Sequence, residues 1–307
     1  MKPTTAKAGS AAEGSPARET LGLIGLGLMG TALTDRLLEH GYGVAVWNRT
    51  PARAAPLLAR GAVWSENPLA VGRRVIISLY DSDVVAEVLQ RMEAGFQPGQ
   101  IIVDTTTGEP QQTAALGERL AARGVQYLDA PISGSSEQTR RGEATVIVGG
   151  ARAAFDACAD LWPVLGRKVF HVGSCGTAAS MKLISNLVLG LNRAALAEGL
   201  AFAEATGVAP AAALEVLIGS NAYSRAMEVK GRKLVERDYA VQAKLSQHLK
   251  DVRLMLQAAG DAGVTLPLTE THRRLLEQAE AAGLGELDNS AILEVLRRKG
   301  PVHGDLP

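Results

Sequence analysis

The sequence predicts an α/β domain on a doubly wound parallel sheet, followed by an all-α domain that begins with a long helix. Three observations carry that prediction. Short apolar runs alternate with segments of helical periodicity as far as residue 172. After Gly176 no further strand-like run appears. The chain also has 307 residues, more than one hydrophobic core comfortably organises, so two domains are expected.

Each element follows from its local pattern. Residues 1–18 are Ala, Gly, Ser, Thr, Pro and a few charges with no apolar segment, and read as a disordered tail rather than a secretory leader. Residues 21–26 form a buried strand and 29–40 a helix closed by Gly41. A second strand at 44–47 and a second helix at 51–60 follow. Apolar strands at 74–79 and 100–104 flank a helical segment at 83–94. A helix at 109–123 leads to strands at 126–130, 145–149 and 169–172. Residues 178–206 read as one Ala-rich helix, apolar on most faces. At 1.5 Å per residue it would be about 42 Å long, so it joins the domains or reaches a partner subunit. Further helices are expected at 209–220, 223–236, 243–262, 267–282 and 291–298. The expected domains are 19–178 and 179–300.

Composition removes several classes of function. The chain is 47% apolar and 21% charged, as ordinary globular proteins are. Thirty-two basic residues balance thirty-two acidic ones, leaving no global field to attract nucleic acid or anionic lipid. No apolar run reaches the roughly 18 residues of a membrane-spanning helix. Two cysteines, Cys158 and Cys175, and five scattered histidines give neither a disulfide framework nor metal-ligand spacing, so no metal is expected and a cytoplasmic setting is.

Gly25-Leu26-Gly27-Leu28-Met29-Gly30 is a G-x-G-x-x-G run leaving the first strand and opening the first helix. In that context Gly25 permits the tight turn, Gly27 lets the backbone approach a pyrophosphate, and Gly30 lets helix and strand pack closely. The exposed N–H groups of the helix start then face the phosphates. The domain is therefore expected to be a Rossmann-type dinucleotide-binding domain. An NAD-selective site usually carries an acid after the second strand, but here Asn48, Arg49 and Thr50 stand there, with Arg53 a turn on. A guanidinium pairs with a 2′-phosphate, so NADP is expected over NAD.

Lys182 and Asn186 lie four apart on the long helix and share a face among apolar neighbours. Such a lysine either snorkels to water or binds an anion. Arg193 falls on nearly the same face, but about 16 Å along the helix, too far to share a small substrate. The segment 129–135, Asp-Ala-Pro-Ile-Ser-Gly-Ser, follows a strand end, where ligands of doubly wound sheets bind. Its Ser133 hydroxyl and the N–H groups around Gly134 suit a carboxylate, and a plain loop explains them equally well.

Together these segments resemble the β-hydroxyacid dehydrogenase family, which includes 3-hydroxyisobutyrate dehydrogenases and glyoxylate and semialdehyde reductases. The resemblance runs from about residue 20 to 298 through four ordered motifs: GLIGLGLMG at 22–30, DAPISGSSEQTRRG at 129–142, GTAASMKLISN at 176–186 and HLKDVRL at 248–254. It implies that Lys182 is the catalytic lysine, and that Asn186, Ser133, Gly134 and Ser135 bind substrate. It also implies cofactor contacts from the glycine run, Asn48, Arg49, Thr50, Leu79, Thr107 (after Thr106) and Lys250, the last paired with Asp251. Three positions depart from the family pattern: Ser135 replaces the second loop glycine, Thr139 a small residue, and Tyr80 a proline. A bulkier loop is expected to change the shape of the pocket.

The expected activity is hydride transfer between a nicotinamide cofactor and a small β-hydroxyacid, semialdehyde or 2-oxo acid, with Lys182 as general acid or base. Two alternatives stay open: imine reduction on the same fold, and a dinucleotide-binding module without catalysis. The long helix carries Leu187, Leu191, Leu196 and Phe202 in several directions, so a homodimer or homotetramer is expected.

Overall fold

The structure is a computed structural model and describes residues 19–297. The expected tail at 1–18 and the end of the second domain lie outside the described residues. The first half runs β1 (Thr20–Ile24), α1 (Leu28–Glu39), β2 (Gly43–Trp47), α2 (Ala55–Leu58), β3 (Val63–Trp64), β4 (Arg74–Ile77), α3 (Ser82–Arg91), β5 (Ile101–Asp104), α4 (Pro110–Ala121) and β6 (Gln126–Asp129). Then come β7 (Ile132–Ser133), α5 (Ser136–Arg140), β8 (Thr145–Gly149), α6 (Arg152–Asp156), α7 (Trp162–Leu165) and β9 (Lys168–Gly173). The second half is helical: α8 (Thr177–Ala205), α9 (Pro210–Ile218), α10 (Arg225–Glu236), α11 (Leu245–Asp261), α12 (Pro267–Ala281) and α13 (Leu293–Leu296).

The nine strands form one sheet in the order β3-β2-β1-β4-β5-β6-β8-β7, with β9 beside β8. From β3 to β6 every pairing is parallel. The chain order reverses between β1 and β4, so the Gly25–Gly30 turn leaves β1 at the switch point, where such sheets bind ligands. The expected doubly wound parallel sheet is present, with one reversal of direction: β8 runs antiparallel to both β6 and β7. β6 and β7 run the same way and pair with β8 as one stretch, and the return from Ser133 to Thr145 through α5 is shorter than the dozen or more residues that a parallel crossover requires.

Alternation along β4 shows why the sheet is buried on both faces. Ile76 joins the layer of Leu33, Leu37, Val103 and Trp162, while Val75 and Ile77 join that of Val85, Leu89, Ile102 and Leu116. A third core surrounds α8 in the helical half, with Leu183, Leu196, Leu200, Leu249 and Leu276. The helix expected at 51–60 is instead a 3-10 turn, Pro51–Ala54, running into the four residues of α2. Pro56 cannot donate the backbone bond that would carry one regular helix through both.

Candidate active site

The structure separates the tasks of the three glycines. Gly25 has φ +102, in the left-handed region, and a Cβ there would lie 2.2 Å from the Ser78 carbonyl oxygen. A Cβ on Gly30 would lie 1.8 Å from the Gly25 carbonyl, so Gly30 lets α1 close on the turn. A Cβ on Gly27 would meet nothing within 4 Å. Packing therefore does not require glycine at 27; open space in front of the helix start does, which fits close approach by a phosphate. Gly27 is the N-cap of α1, and the N–H groups of Leu28 and Met29 have no partner within the helix. The residues present fit a dinucleotide.

The end of β2 also has a structural task. Asn48 Oδ1 accepts a hydrogen bond from the Leu26 N–H at 2.9 Å, and its Nδ2 donates to the Thr50 carbonyl at 3.0 Å. Asn48 thus fastens the glycine turn to β2, and the Leu26 N–H is spent on that bond rather than free for a phosphate. Arg49 and Thr50 are exposed beside it.

α8 brings Lys182 and Asn186 to the strand ends. Lys182 is 7% exposed, and its Nζ donates to the Ile132 carbonyl at 2.7 Å. Burial lowers its pKa to about 8, against an opposing pull from Asp251. Asn186 Nδ2 donates to Asp251 Oδ2 at 3.0 Å. A carboxylate only accepts, so this bond fixes which way the amide faces. Lys250 Nζ donates to the Tyr80 carbonyl at 2.7 Å and the Thr107 carbonyl at 3.4 Å, and lies 3.6 Å from Asp251 Oδ1. α11 is thereby tied across the ends of β4 and β5, with Lys182, Asn186, Asp251 and Lys250 gathered at one place.

Two acids in this arrangement were given no role from the sequence. Asp104 and Asp129 end β5 and β6 at paired register positions, and both are buried. Asp129 Oδ2 accepts from the Ala179 N–H at 2.9 Å, in the first turn of α8. Burial raises its pKa to about 6 although backbone N–H groups of that turn pull it down. It locks α8 to the strand end one turn before Lys182. Asp104 accepts from the Thr106 N–H at 2.9 Å and from the Tyr127 hydroxyl, while Thr106 Oγ1 accepts from the Leu79 N–H at 3.1 Å. An acid closing a run such as QIIVD or QYLD was the available signal, because an unpaired carboxylate is costly there.

Comparison with known proteins decides the family. Residues 20–173 match the family described as the NAD binding domain of 6-phosphogluconate dehydrogenase. Residues 176–296 match the NAD-binding domain of NADP-dependent 3-hydroxyisobutyrate dehydrogenase. A 2-(hydroxymethyl)glutarate dehydrogenase from Eubacterium barkeri is 32% identical, over 90% of this chain and 94% of that protein. The chain belongs to the β-hydroxyacid dehydrogenase family. A 2-hydroxy-3-oxopropionate reductase from Escherichia coli strain K12, a second relative, is 33% identical over 90% of this chain and 96% of its own length. The solved 3-hydroxyisobutyrate dehydrogenase of Mycobacterium tuberculosis, in a structure with L-serine, shares the fold with a TM-score of 0.84 at 23% identity, covering 91% of this chain and 99% of that one. An imine reductase from Bacillus cereus is more distant, with a TM-score of 0.58 at 24% identity over 92% of this chain and 100% of that one.

As a β-hydroxyacid dehydrogenase the chain is an NAD(P)-dependent oxidoreductase with a nicotinamide cofactor. Among the described residues no helix is long and apolar enough to cross a membrane. The loop departures have a local explanation. Ser135 is the N-cap of α5: its hydroxyl accepts from the Gln138 N–H at 3.1 Å, and Gln138 Oε1 accepts from the Ser135 N–H at 2.9 Å. Thr139 is fully buried and donates to the Ser135 carbonyl at 3.0 Å. The expected reshaping of the pocket is corrected for Thr139, whose bulk goes into packing α5. Tyr80 lies at the cleft, its ring 4.7 Å from Lys250 Nζ.

Proposed function

We propose that this chain is an NADP-preferring dehydrogenase or reductase for a small β-hydroxyacid, semialdehyde or 2-oxo acid, with Lys182 as its proton donor and acceptor. The observation that carries the reading is the buried Lys182 ammonium, held at Ile132 beside the Asn186–Asp251 pair with a pKa near 8. A lysine of that acidity exchanges a proton close to neutral pH, whereas an ordinary one near 10.5 does not. The nicotinamide cofactor, when bound, supplies or accepts the hydride.

The chain's own residues position and protonate. Gly25, Gly27 and Gly30 form the phosphate turn, with Leu28 and Met29 offering backbone N–H groups, and Arg49 is placed to pair with a 2′-phosphate. Leu79 and Thr107 sit at the strand ends where a nicotinamide would lie, and Lys250 keeps the helical half closed over them. Ser133, Gly134 and the free amide hydrogen of Asn186 hold the substrate carboxylate. Lys182 Nζ gives its proton to the developing alkoxide in reduction, and takes it back in oxidation. The reading places cofactor binding in 19–178 and the helical domain in 179–300.

The same reading makes the protein a homodimer or a tetramer of dimers. Leu196 is spent within its own chain, at 2% exposure, and Leu187 and Leu191 are half-buried. Phe202, at 71%, stays exposed, with Met181, Ile184, Val188 and Leu189 forming an uncovered apolar strip on α8. The test of activity is NADPH oxidation over a panel of small aldehyde and oxo acids, with a cyclic imine included. Turnover of the imine alone would refute the reading. Lys182→Ala should lose at least about a hundredfold in kcat while cofactor still binds.

A further inference from the structure

Beyond Lys182 and Asn186 the same face of α8 continues to Gly190 and Arg193. α11 lies along it, with Asp251 on Asn186 and His248 one turn away against Gly190. A Cβ on Gly190 would lie 2.7 Å from His248 Nε2 and 2.9 Å from His272 Cε1, so glycine there brings both rings onto the helix. The two rings are 5.2 Å apart. One continuous polar seam thus runs from Lys182 to Arg193.

At its far end the nitrogens lack acceptors. Arg193 is 4% exposed, His248 8% and His272 3%. Arg193 Nε and Nη2, His248 Nε2 and His272 Nε2 have no hydrogen-bond partner among the described residues. The acid near enough to act on Arg193 is Asp288, but its oxygens are taken by Lys230, by Ser290 and by the N–H groups of Gln242 and Ala243. A buried guanidinium with idle donors is costly unless an anion meets it. Burial beside Arg193 also pushes both histidines down, His272 to about 4, so each ring is neutral with one N–H to give.

We propose that Arg193, with His248 and His272, receives a second carboxylate of the substrate. This rests on the proposed function: the first carboxylate lies at Ser133, Gly134 and Asn186, and the second extends along the seam. Counted from Lys182, Arg193 is about 16 Å along the helix, but the first carboxylate sits at Asn186, from which the rise is about 10 Å, and the Arg193 side chain leans toward the helix N-terminus and covers about half of that, leaving about 5 Å. A dicarboxylate spanning about five carbons suits that distance, whereas a substrate of three carbons does not reach.

The test compares binding of glutarate and pentanoate to the full chain by titration calorimetry, because the two differ only in the second carboxylate. Glutarate is expected to bind one per chain and roughly 10- to 100-fold more tightly, the scale of hydrogen bonds to a charged group. Arg193→Gln should bring that ratio close to one, and Arg193→Lys should restore part of it. A ratio near one in the unaltered protein overturns the proposal whatever the variants do. Two glutarates per chain, the mark of a separate anion site, also overturn it, as does a preference that survives Arg193→Gln. Oxidation of 3-hydroxyisobutyrate and of 2-(hydroxymethyl)glutarate is measured alongside. Turnover of neither one counts against the proposed reaction, while the binding ratio decides the seam.

Discussion

Replacing Lys182 by methionine should make the protein more stable at neutral pH while removing its activity. The pKa of Lys182 falls from 10.5 to about 8 on folding, chiefly because burial disfavours the ammonium. A group whose folded pKa is depressed binds more protons in the unfolded chain, so stability rises with pH between about 8 and 10.5. Below that window the buried charge costs about 3 kcal/mol. Methionine has similar length and no charge, but it leaves the Ile132 carbonyl without its donor, a loss of about 1 kcal/mol. The net expectation is a gain of about 2 kcal/mol at pH 7, or a rise in Tm of roughly 4–8 °C. Above pH 10.5 only the lost hydrogen bond remains, and the variant should be the less stable by about 1 kcal/mol. Thermal denaturation of both proteins in matched buffers from pH 7 to 10.5 measures the difference directly. Titrating groups that Lys182 does not reach are common to both proteins and cancel, whereas Asp251 loses the downward pull of the ammonium in the variant. A methionine variant that is less stable at pH 7, or a difference that does not change sign with pH, would refute the argument from burial. The ammonium would then be a structural bond donor rather than a strained proton carrier.

The glycine turn offers a matched pair of substitutions. Gly27→Ala meets nothing within 4 Å and should leave Tm unchanged while weakening cofactor binding at least about tenfold, whereas Gly30→Ala drives a methyl into the Gly25 carbonyl and should lower Tm; equal effects on both measurements would remove Gly27 from the phosphate site. Arg49→Asp should lower or reverse a preference for NADPH over NADH, and equal dissociation constants for the two in the unaltered protein would sink the assignment. Light scattering at micromolar concentration should give at least twice the 32.1 kDa of one chain, and a stable, active monomer would show that the α8 strip needs no partner.

Where a feature depends on neighbours in sequence, it could be read. The glycine run, the apolar strands of 74–77 and 101–104 and the long helix over 177–205 all announce themselves by local composition and period. β3, with two residues, and α5, α6 and α7, with four or five, are too short for any period to register. Strand direction at β8 was not in the pattern either, because an apolar run looks the same either way round; the short connection from β7 to β8 decides it. The seam was further out of reach. Arg193 could be placed on the Lys182 face by counting, but His248 and His272 come from helices that only tertiary packing brings to Gly190.

Asn48 shows the limit most sharply. The position after β2 was read as part of the ribose site because position alone assigns it that role in such domains. Its amide instead spans Leu26 and Thr50, holding the turn that the phosphates would use. Asparagine can do so because it both accepts and donates, which an aspartate cannot. Aspartate here would still accept from Leu26 but would lose the bond to Thr50. The absence of an acid at 48 thus has a structural cause independent of the cofactor, and the argument for NADP narrows to the Arg49 guanidinium. That is why the substitution at Arg49, rather than one at Asn48, is the informative one: changing Asn48 would loosen the turn and alter the binding of both cofactors together.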